Sequence, residues 1–229
     1  MTIGFDLIND LNLSSEDDFN WENKATSLYC IVAGNISSDL YVISTVLNNL
    51  SKFYQGVFYT PGTLEFKDSV DYQERILDIC KIAKKIKNVA VLHHHVVIIN
   101  GIAILGSTGY HGDEDDYDFE KIHNKSKFED LIYLRHSVER LQRHIDVKHI
   151  LMVTGSVPNH RLFFGEDAGI YETLPDLDMV CSVDLEKKIS HWMYGSYEKI
   201  VDTNINGINY LSNPFKGEPY WAKRTNIIV

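Results

Sequence analysis

Residues 28–36 read LYCIVAGNI, an apolar run that ends in a glycine, an asparagine and one more apolar residue. Leu28 to Ala33 is long enough for a buried strand, and the apolar residues that follow between positions 40 and 54 recur on one helical face. We expect Ser37 or Ser38 to cap this helix. Val57 to Thr60 is a second short strand, and it ends in Pro-Gly, a strong turn signal. This stretch therefore predicts a strand, a helix and a strand in succession.

The alternation of strands and helices continues on both sides of this stretch. Residues 1–7 alternate apolar and polar side chains, which is typical of a half-buried strand. Three further helices are predicted. The first covers 69–87, the second begins at a capping box formed by Ser126 and Glu129 and ends at about 145, and the third is a short helix at about 183–189. Asn-Gly pairs at 100–101 and 206–207 supply the two positive φ angles of a type I′ turn and predict hairpins over 96–105 and 201–211. The order predicts an α/β sandwich, with helices outside two sheets.

Length and charge limit the domain count and the class of partner. The chain has 229 residues, which favours a single domain over 1–229, with an acidic loop at about 111–124 and a C-terminal tail at about 216–229. Its 22 Lys and Arg against 32 Asp and Glu give a net charge of −10. Since Lys and Arg supply the affinity for phosphate backbones, this balance disfavours nucleic acid as a general partner.

The sequence indicates a cytoplasmic protein. Its apolar runs are far shorter than the roughly 18 residues of a membrane helix, and its start does not resemble a signal peptide. An odd number of cysteines, Cys30, Cys80 and Cys181, among apolar residues favours free thiols in a reducing compartment. The abundance of Ile, Asn and Lys is typical of an AT-rich genome, and we expect a bacteriophage origin, which would place the protein in the host cytoplasm.

Five short segments at predicted strand ends form a series whose order along the chain is informative. They are Asp-Leu-Asn-Leu at 10–13, Val-Ala-Gly-Asn-Ile at 32–36, Thr-Pro-Gly-Thr-Leu-Glu-Phe at 60–66, Val-Thr-Gly-Ser-Val-Pro at 153–158 and Trp-Met-Tyr-Gly-Ser-Tyr at 192–197. This series resembles the calcineurin-like metallophosphoesterase superfamily, whose members carry Asp-x-His, Gly-Asp, Gly-Asn-His-Glu, a strand-end His and Gly-His-x-His. The resemblance covers about residues 1–215. It implies the calcineurin-like phosphoesterase sandwich of two mixed β-sheets flanked by helices, and the hydrolysis of phosphate esters.

Most positions that hold metal ligands or catalytic groups in that family carry other residues here. Asp10 is retained. The replaced positions are Asn12, Asn35, Thr63, Leu64, Gly155 or its neighbour Ser156, Tyr194 and Ser196. By the resemblance, Asn35 stands where an Asp bridges two metal ions, and it keeps the shape of Asp without the charge. Leu64 stands where a His is thought to act as an acid.

These replacements argue against a two-metal centre. Two divalent ions held close together repel each other strongly unless carboxylates and imidazoles neutralise them. One carboxylate with a few neutral oxygens does not supply that neutralisation, so no catalytic residue, no metal and no cofactor are expected. The alternative is a single Mn²⁺ or Mg²⁺ held through oxygen ligands by Asp10, with Glu65 and Glu198 as the other nearby carboxylates.

Two interpretations of function follow. The first is a catalytically inactive phosphoesterase-fold protein, a pseudoenzyme that acts as a protein-binding, scaffolding or inhibitory module through its surfaces. The second is a metal-dependent phosphoesterase or nuclease with a remodelled site. The oligomeric state and the identity of a protein partner are left open.

Two surface segments are candidates for partner binding, and one histidine run is not. The acidic residues Asp113, Glu114, Asp115 and Asp116 would attract a basic protein, and the aromatic pair Tyr220 and Trp221 is of the kind that anchors interfaces. Three consecutive histidines occupy positions 93–95. Because neighbouring side chains alternate across an extended backbone, they are expected to form a surface turn and not a ligand set.

Overall fold

The computed structural model describes residues 1–15, 19–67, 69, 71–109, 117–159, 176–217 and 220–229, with the backbone alone over 117–127. Within these ranges the chain forms two mixed β-sheets with helices on their outer faces. No helix in the described ranges is both long and apolar enough to cross a membrane. The acidic residues 113–116 lie outside the described ranges.

The first sheet has five strands, in the order β11-β1-β2-β3-β4. Their bounds are β1 Thr2–Ile8, β2 Tyr29–Ala33, β3 Gly56–Thr60, β4 Val89–Val91 and β11 Lys223–Ile228. Strands β1 to β4 run parallel, while β11 pairs antiparallel with β1. The prediction of a tail over 216–229 is therefore wrong for Lys223–Ile228, which form a strand. In β11 the side chains of Thr225 and Ile227 alternate with exposed neighbours, a short pattern that the sequence interpretation overlooked.

The second sheet has six strands, in the order β5-β6-β7-β8-β10-β9. Their bounds are β5 His95–Ile99, β6 Ile102–Ser107, β7 His149–Thr154, β8 Ile189–Tyr194, β9 Val201–Ile205 and β10 Ile208–Ser212. Both predicted hairpins are confirmed. Asn100 and Gly101 have φ angles of 47° and 86°, and Asn206 and Gly207 have φ angles of 53° and 89°.

The helices are α1 Leu40–Ser51, α2 Tyr72–Ala83 and α3 Tyr117–Leu141, with 3₁₀ turns at Leu64–Phe66 and Leu177–Val183. Alternate residues of each strand face different layers. Ile31 and Ala33 of β2 lie between the sheets, whereas Cys30 and Val32 pack in the core that contains α1. In β7, residues 151 and 153 lie between the sheets, and residues 150 and 152 pack in the core that contains α3. The predicted fold class, an α/β sandwich of two mixed sheets flanked by helices, is confirmed.

Several predicted helix bounds are wrong. The helix predicted over 69–87 spans Tyr72–Ala83, and α3 ends at Leu141 instead of at about 145. The cap of α1 is Asp39, whose carboxylate accepts a hydrogen bond from the backbone N–H of Tyr41, so neither Ser37 nor Ser38 caps the helix. Helix α3 begins nine residues before Ser126, because residues 117–125 contain no glycine or proline to stop it. The short helix predicted at 183–189 is a 3₁₀ turn at Leu177–Val183, followed directly by β8.

The topology brings several loops to one edge of the sandwich. Such loops follow the carboxyl ends of strands β1, β2, β3, β7 and β8, and hydrogen bonds join them to one another. The loops contain Asp10, Asn35, Gly62, Gly155 and Ser196. Loops at the carboxyl ends of strands are a common place for ligand sites in open α/β sheets.

Candidate functional site

Glycines from four of these loops let the two sheets approach each other closely. A Cβ atom at Gly34 would lie 2.9 Å from Cα of Gly62 and 3.1 Å from Cα of Gly155. A Cβ atom at Gly155 would collide with the backbone carbonyl of Pro61, and one at Gly195 would collide with the carbonyl of Ala33. The position where the resemblance places a strand-end His is therefore occupied by backbone-to-backbone packing that leaves no room for a side chain.

The Asp10 carboxylate accepts four N–H donors. Oδ1 accepts from the Asn35 side-chain amide at 2.7 Å and from the backbone N–H of Ser196 at 2.9 Å. Oδ2 accepts from the Asn9 side-chain amide at 2.9 Å and from the backbone N–H of Tyr197 at 3.3 Å. Because an ionised carboxylate offers about four lone-pair positions, these donors account for all of them.

The orientation of the Asn35 amide is set by the protein backbone. Its Oδ1 accepts from the N–H of Leu64 at 2.8 Å, and a backbone N–H can only donate. The Nδ2 atom of Asn35 must therefore face Asp10, and it also reaches the Ser196 hydroxyl at 3.0 Å. An Asp at position 35 would repel the carboxylate of Asp10, whereas the amide of Asn35 forms a hydrogen bond with it.

Several residues of the site have a left-handed backbone. Asp10, Asn12, Asn35 and Ser196 have φ angles of 53°, 50°, 54° and 56°. Asn and Asp tolerate this region better than most residues, whereas Ser196 is a less common occupant. The Nδ2 atom of Asn12 donates to the backbone carbonyl of Asp10 at 3.1 Å and so stabilises this turn.

Ser196 joins three of the loops. Its hydroxyl donates to the carbonyl of Gly155 at 2.8 Å, accepts from the amide of Asn35, and lies 3.4 Å from the Thr63 hydroxyl. Ser156 is buried, and its hydroxyl donates to the carbonyl of Gly109 instead. Of the two positions considered for the strand-end His, one has no side chain and the other bonds away from Asp10.

Glu65 anchors the turn that carries Asn35. Its carboxylate is fully buried and accepts from the backbone N–H groups of Asn35 at 3.1 Å and Ile36 at 2.6 Å, and from the Tyr59 hydroxyl at 2.9 Å. Burial raises the pKa of Glu65, although these hydrogen bonds act in the opposite direction. Burial likewise raises the pKa of Asp10, against the effect of its four donors.

An open cavity of about 500 Å³ lies over Asp10. It is lined by Asp10, Asn12, Asn35, Ser196, Tyr197, Glu198, Pro214, Phe215 and Lys216. Tyr194 does not line it: this side chain is fully buried in the core that contains α3, because it is the last residue of β8 and faces the helix side of the sheet. The assignment of Tyr194 to a site position is therefore wrong, and Glu198 is the acidic residue of this loop at the cavity.

The sequence interpretation also missed the polar network behind Asp10. Asn9 is fully buried, and besides binding Asp10 it donates to the Ser212 hydroxyl at 3.1 Å and accepts from the N–H of Asn213 at 2.6 Å. In the sequence, the polar pair Asn9 and Asp10 directly follows an apolar strand, and this pattern could have predicted the network. The network fixes the loop after β1 to the loop after β10.

The donor set around Asp10 does not fit a pair of metal ions. The retained carboxylate is saturated by N–H donors, the amide of Asn35 presents hydrogens, and no histidine lines the cavity within the ranges that the structure covers. Within the same ranges, no group of three His, Cys, Asp or Glu ligand atoms converges here. A two-metal centre needs several free carboxylate and imidazole lone pairs at one point.

The two aromatic residues proposed for partner binding differ in exposure. Tyr220 is 6% exposed and packs with its ring centroid 5.1 Å from that of Phe215, while its hydroxyl donates to the carbonyl of Asn213 at 2.6 Å. The expectation that Tyr220 is exposed is therefore wrong, because its ring fills the core under the loop after β10. Trp221 is 57% exposed, and its role in binding stays a prediction.

No family model and no curated protein matches this chain. Among solved structures, the phosphopantetheinyl hydrolase from Mycobacterium tuberculosis superposes with a TM-score of 0.65 at 14% identity, covering 96% of this chain and 95% of that one. A putative 5'-nucleotidase from Staphylococcus aureus gives a TM-score of 0.56 at 11% identity, and the match covers 99% of this chain but 51% of the nucleotidase.

A third similar structure is GAP50, named as the anchor in the inner membrane complex of Plasmodium. It gives a TM-score of 0.55 at 10% identity, and the match covers 93% of this chain and 71% of that one. At these identities the comparisons establish the fold and leave the activity open. The chain has the two-sheet α/β sandwich of these structures, as the five sequence segments indicated.

Proposed function

We propose that this protein is a catalytically inactive phosphoesterase-fold protein that acts by binding another protein, as a scaffold or an inhibitor. The observation that carries the proposal is the saturation of the Asp10 carboxylate by four N–H donors. A metal ion would have to displace these donors before it gained a ligand.

The energetic cost of that displacement is large. A hydrogen bond to a charged group contributes about 1.5–3 kcal/mol, so each donor that a metal ion displaced from Asp10 would cost about that much. Glu65 cannot replace Asp10, because its oxygens hold the backbone of residues 35 and 36. We therefore propose that the protein uses neither a metal pair nor another cofactor at this cavity.

The proposed partner-binding surface includes Trp221 and the acidic residues 113–116. Trp221 is an exposed aromatic residue of the type that forms interface hot spots, and the net charge of −10 favours a basic protein over nucleic acid. We keep the acidic residues 113–116 as part of the proposed docking surface. GAP50 is named as an anchor, which supports the use of this fold for assembly.

We also propose a cytoplasmic location, since Cys30, Cys80 and Cys181 are all free thiols. Cys30 is buried, and burial raises its pKa well above the usual value, so it is an inert core residue. A bacteriophage origin stays a prediction from composition.

Two experiments test the proposal. The first measures bound metal in the purified protein and the hydrolysis of an aryl phosphate with Mn²⁺, where we expect neither stoichiometric Mn²⁺ at Asp10 nor turnover. The second captures partners from a lysate of the source cell with wild-type protein and with Trp221→Ala. Leu185→Ala is a matched control, because Leu185 is 81% exposed and lies in a different loop. Loss of a partner in Trp221→Ala alone supports the docking surface, while equal capture by all three proteins contradicts it.

The alternative function is a metal-dependent phosphoesterase or nuclease with a remodelled site. The open cavity of about 500 Å³ favours it, since Glu198 and Lys216 line the space next to Asp10. Turnover that disappears in both Asp10→Asn and Glu198→Gln would establish this alternative.

A further inference from the structure

A second cluster of ligand-type side chains lies away from the Asp10 cavity. It consists of His93 and His94, in the segment between β4 and β5, and Asp130 of α3. One ligand atom of each residue lies within 4.8 Å of the other two. The segment joins the first sheet to the second, so the cluster ties both sheets to α3.

Asp130 is held as a metal-binding carboxylate usually is. It is 1% exposed, and its Oδ2 accepts from the Thr108 hydroxyl at 3.0 Å and from the N–H of Gly109 at 2.7 Å. Its Oδ1 faces Nε2 of His94 at 2.7 Å. Hydrogen bonds of this kind orient ligating carboxylates and leave the other oxygen for the ion.

A positive φ at His94 turns the backbone between the two histidines and brings their rings side by side. Because a ring nitrogen binds a metal in the plane of its ring, one ring has to rotate before both reach the same ion. His94 has a φ of 50°, and the two rings stack with centroids 4.2 Å apart at an angle of 16°. Alternation across an extended backbone therefore does not separate the side chains at 93–94, and the expectation that these histidines cannot form a ligand set fails there. The Nδ1 atom of His93 is buried and has no hydrogen-bond partner in the described part of the chain.

We propose that His93, His94 and Asp130 bind one divalent transition-metal ion, with Zn²⁺ as the best match to two imidazoles and one carboxylate. Zn²⁺ takes three protein ligands of these types at about 2.0–2.2 Å and leaves a fourth position open. Binding breaks the hydrogen bond between Nε2 of His94 and Oδ1 of Asp130, the displaced proton moves through solvent to Nδ1 of His94, and the three ligand atoms draw together on the ion.

A groove gives solvent access to the cluster at His94. His94 is partly exposed and lines a groove of about 490 Å³ together with Tyr133, Arg140 and His144. Water or a small anion reaches the ion from this side. Mg²⁺ and Ca²⁺ prefer all-oxygen sites and are not expected to compete.

The test is calorimetric titration of the metal-free full-length protein with ZnCl₂, repeated with CoCl₂ and followed by visible absorption. We expect one Zn²⁺ per chain, a Co²⁺ spectrum typical of nitrogen and oxygen ligands, and an affinity at least tenfold lower in His94→Gln and in His93→Gln. His136→Gln is the matched control, because His136 is an exposed histidine of α3 outside the cluster. Glu198→Gln should bind Zn²⁺ like the wild type, because Glu198 is an exposed residue of the Asp10 cavity, and this variant separates the two sites.

Removal of the buried Asp130 carboxylate can weaken folding by itself, so the histidine variants carry the test. Zn²⁺ should raise the melting temperature of the wild type and of His136→Gln, but not that of His94→Gln. The proposal is overturned if Zn²⁺ shows no saturable binding at micromolar concentrations, or if His93→Gln and His94→Gln bind it as tightly as the wild type. That result would leave the His94 and Asp130 pair as a structural hydrogen bond.

Discussion

The substitution Asn35→Asp tests the arrangement around Asp10 directly. It keeps the size of the side chain and its tolerance for a positive φ, but it places a carboxylate oxygen where an amide now donates to Oδ1 of Asp10 at 2.7 Å. The change exchanges an attractive contact for a repulsive one. We expect Asn35→Asp to destabilise the protein markedly at pH 7.

The magnitude follows from the contact distance. Two unit charges 2.7 Å apart repel by about 6 kcal/mol at an effective dielectric constant of 20, and the lost hydrogen bond adds about 1.5–3 kcal/mol. The pair escapes part of this cost by taking up one proton, which raises its pKa above the unfolded value. A net loss of about 3–5 kcal/mol in the free energy of unfolding is expected at pH 7, in line with other uncompensated buried charges.

The pH dependence gives an independent check. A carboxyl pair with a raised pKa binds more protons in the folded state than in the unfolded state, so the deficit should shrink as the pH falls from 7 to 5. Urea unfolding followed by circular dichroism at both pH values measures it, with Asn48→Asp as an isosteric control at an exposed position of α1. The arrangement is refuted if Asn35→Asp matches the wild type within about 0.5 kcal/mol at pH 7, the usual range for a surface substitution.

Three further predictions concern the packing and titration of the fold. Gly155→Ala should cost about 1–3 kcal/mol of stability in urea unfolding, because its Cβ atom meets the carbonyl of Pro61; a neutral result would mean that the loops are not packed as described. Burial lowers the pKa of His191 to about 4, so on acidification the unfolded chain binds this proton before the folded chain does, and stability falls between pH 6.5 and 4. His191→Gln should remove up to about 3 kcal/mol of this loss of stability. An unchanged pH profile in the variant would contradict the burial of His191. Tyr54→Phe removes the hydroxyl that donates to Asp6 at 2.9 Å and should lower the melting temperature at a cost of about 1.5–3 kcal/mol, whereas an unchanged melting temperature would show that this bond adds nothing.

Local patterns predicted most of the architecture. The Asn-Gly pairs at 100–101 and 206–207 specify hairpins by their backbone preferences alone, and the apolar run at 28–33 specifies a central strand. Strand β11 was missed because Lys223, Arg224 and Asn226 make it look like a polar tail, and its pairing with β1 depends on residues more than 200 positions away. Tyr220 was misjudged for the same reason, since the core that covers it comes from distant segments.

The candidate site was predictable in composition but not in geometry. The sequence places Asp10, Asn12, Asn35 and Ser196 at positions where the resemblance to metallophosphoesterases predicts metal ligands. It does not indicate that four N–H donors saturate Asp10, because two of them are backbone groups whose direction is set by the loop after β8. The histidine cluster was likewise hidden, since it depends on a positive φ at His94 that no residue type requires.

The most direct test of the inactive site is a titration with Mn²⁺ followed by electron paramagnetic resonance, together with an assay of 4-nitrophenyl phosphate hydrolysis. Both are carried out in a His94→Gln background, so that the histidine cluster does not contribute, with Asp10→Asn as the comparison. The saturation of Asp10 predicts no bound Mn²⁺ that depends on this residue and the same background rate in both proteins. Two Mn²⁺ ions per chain with measurable hydrolysis, both lost in Asp10→Asn, would contradict it.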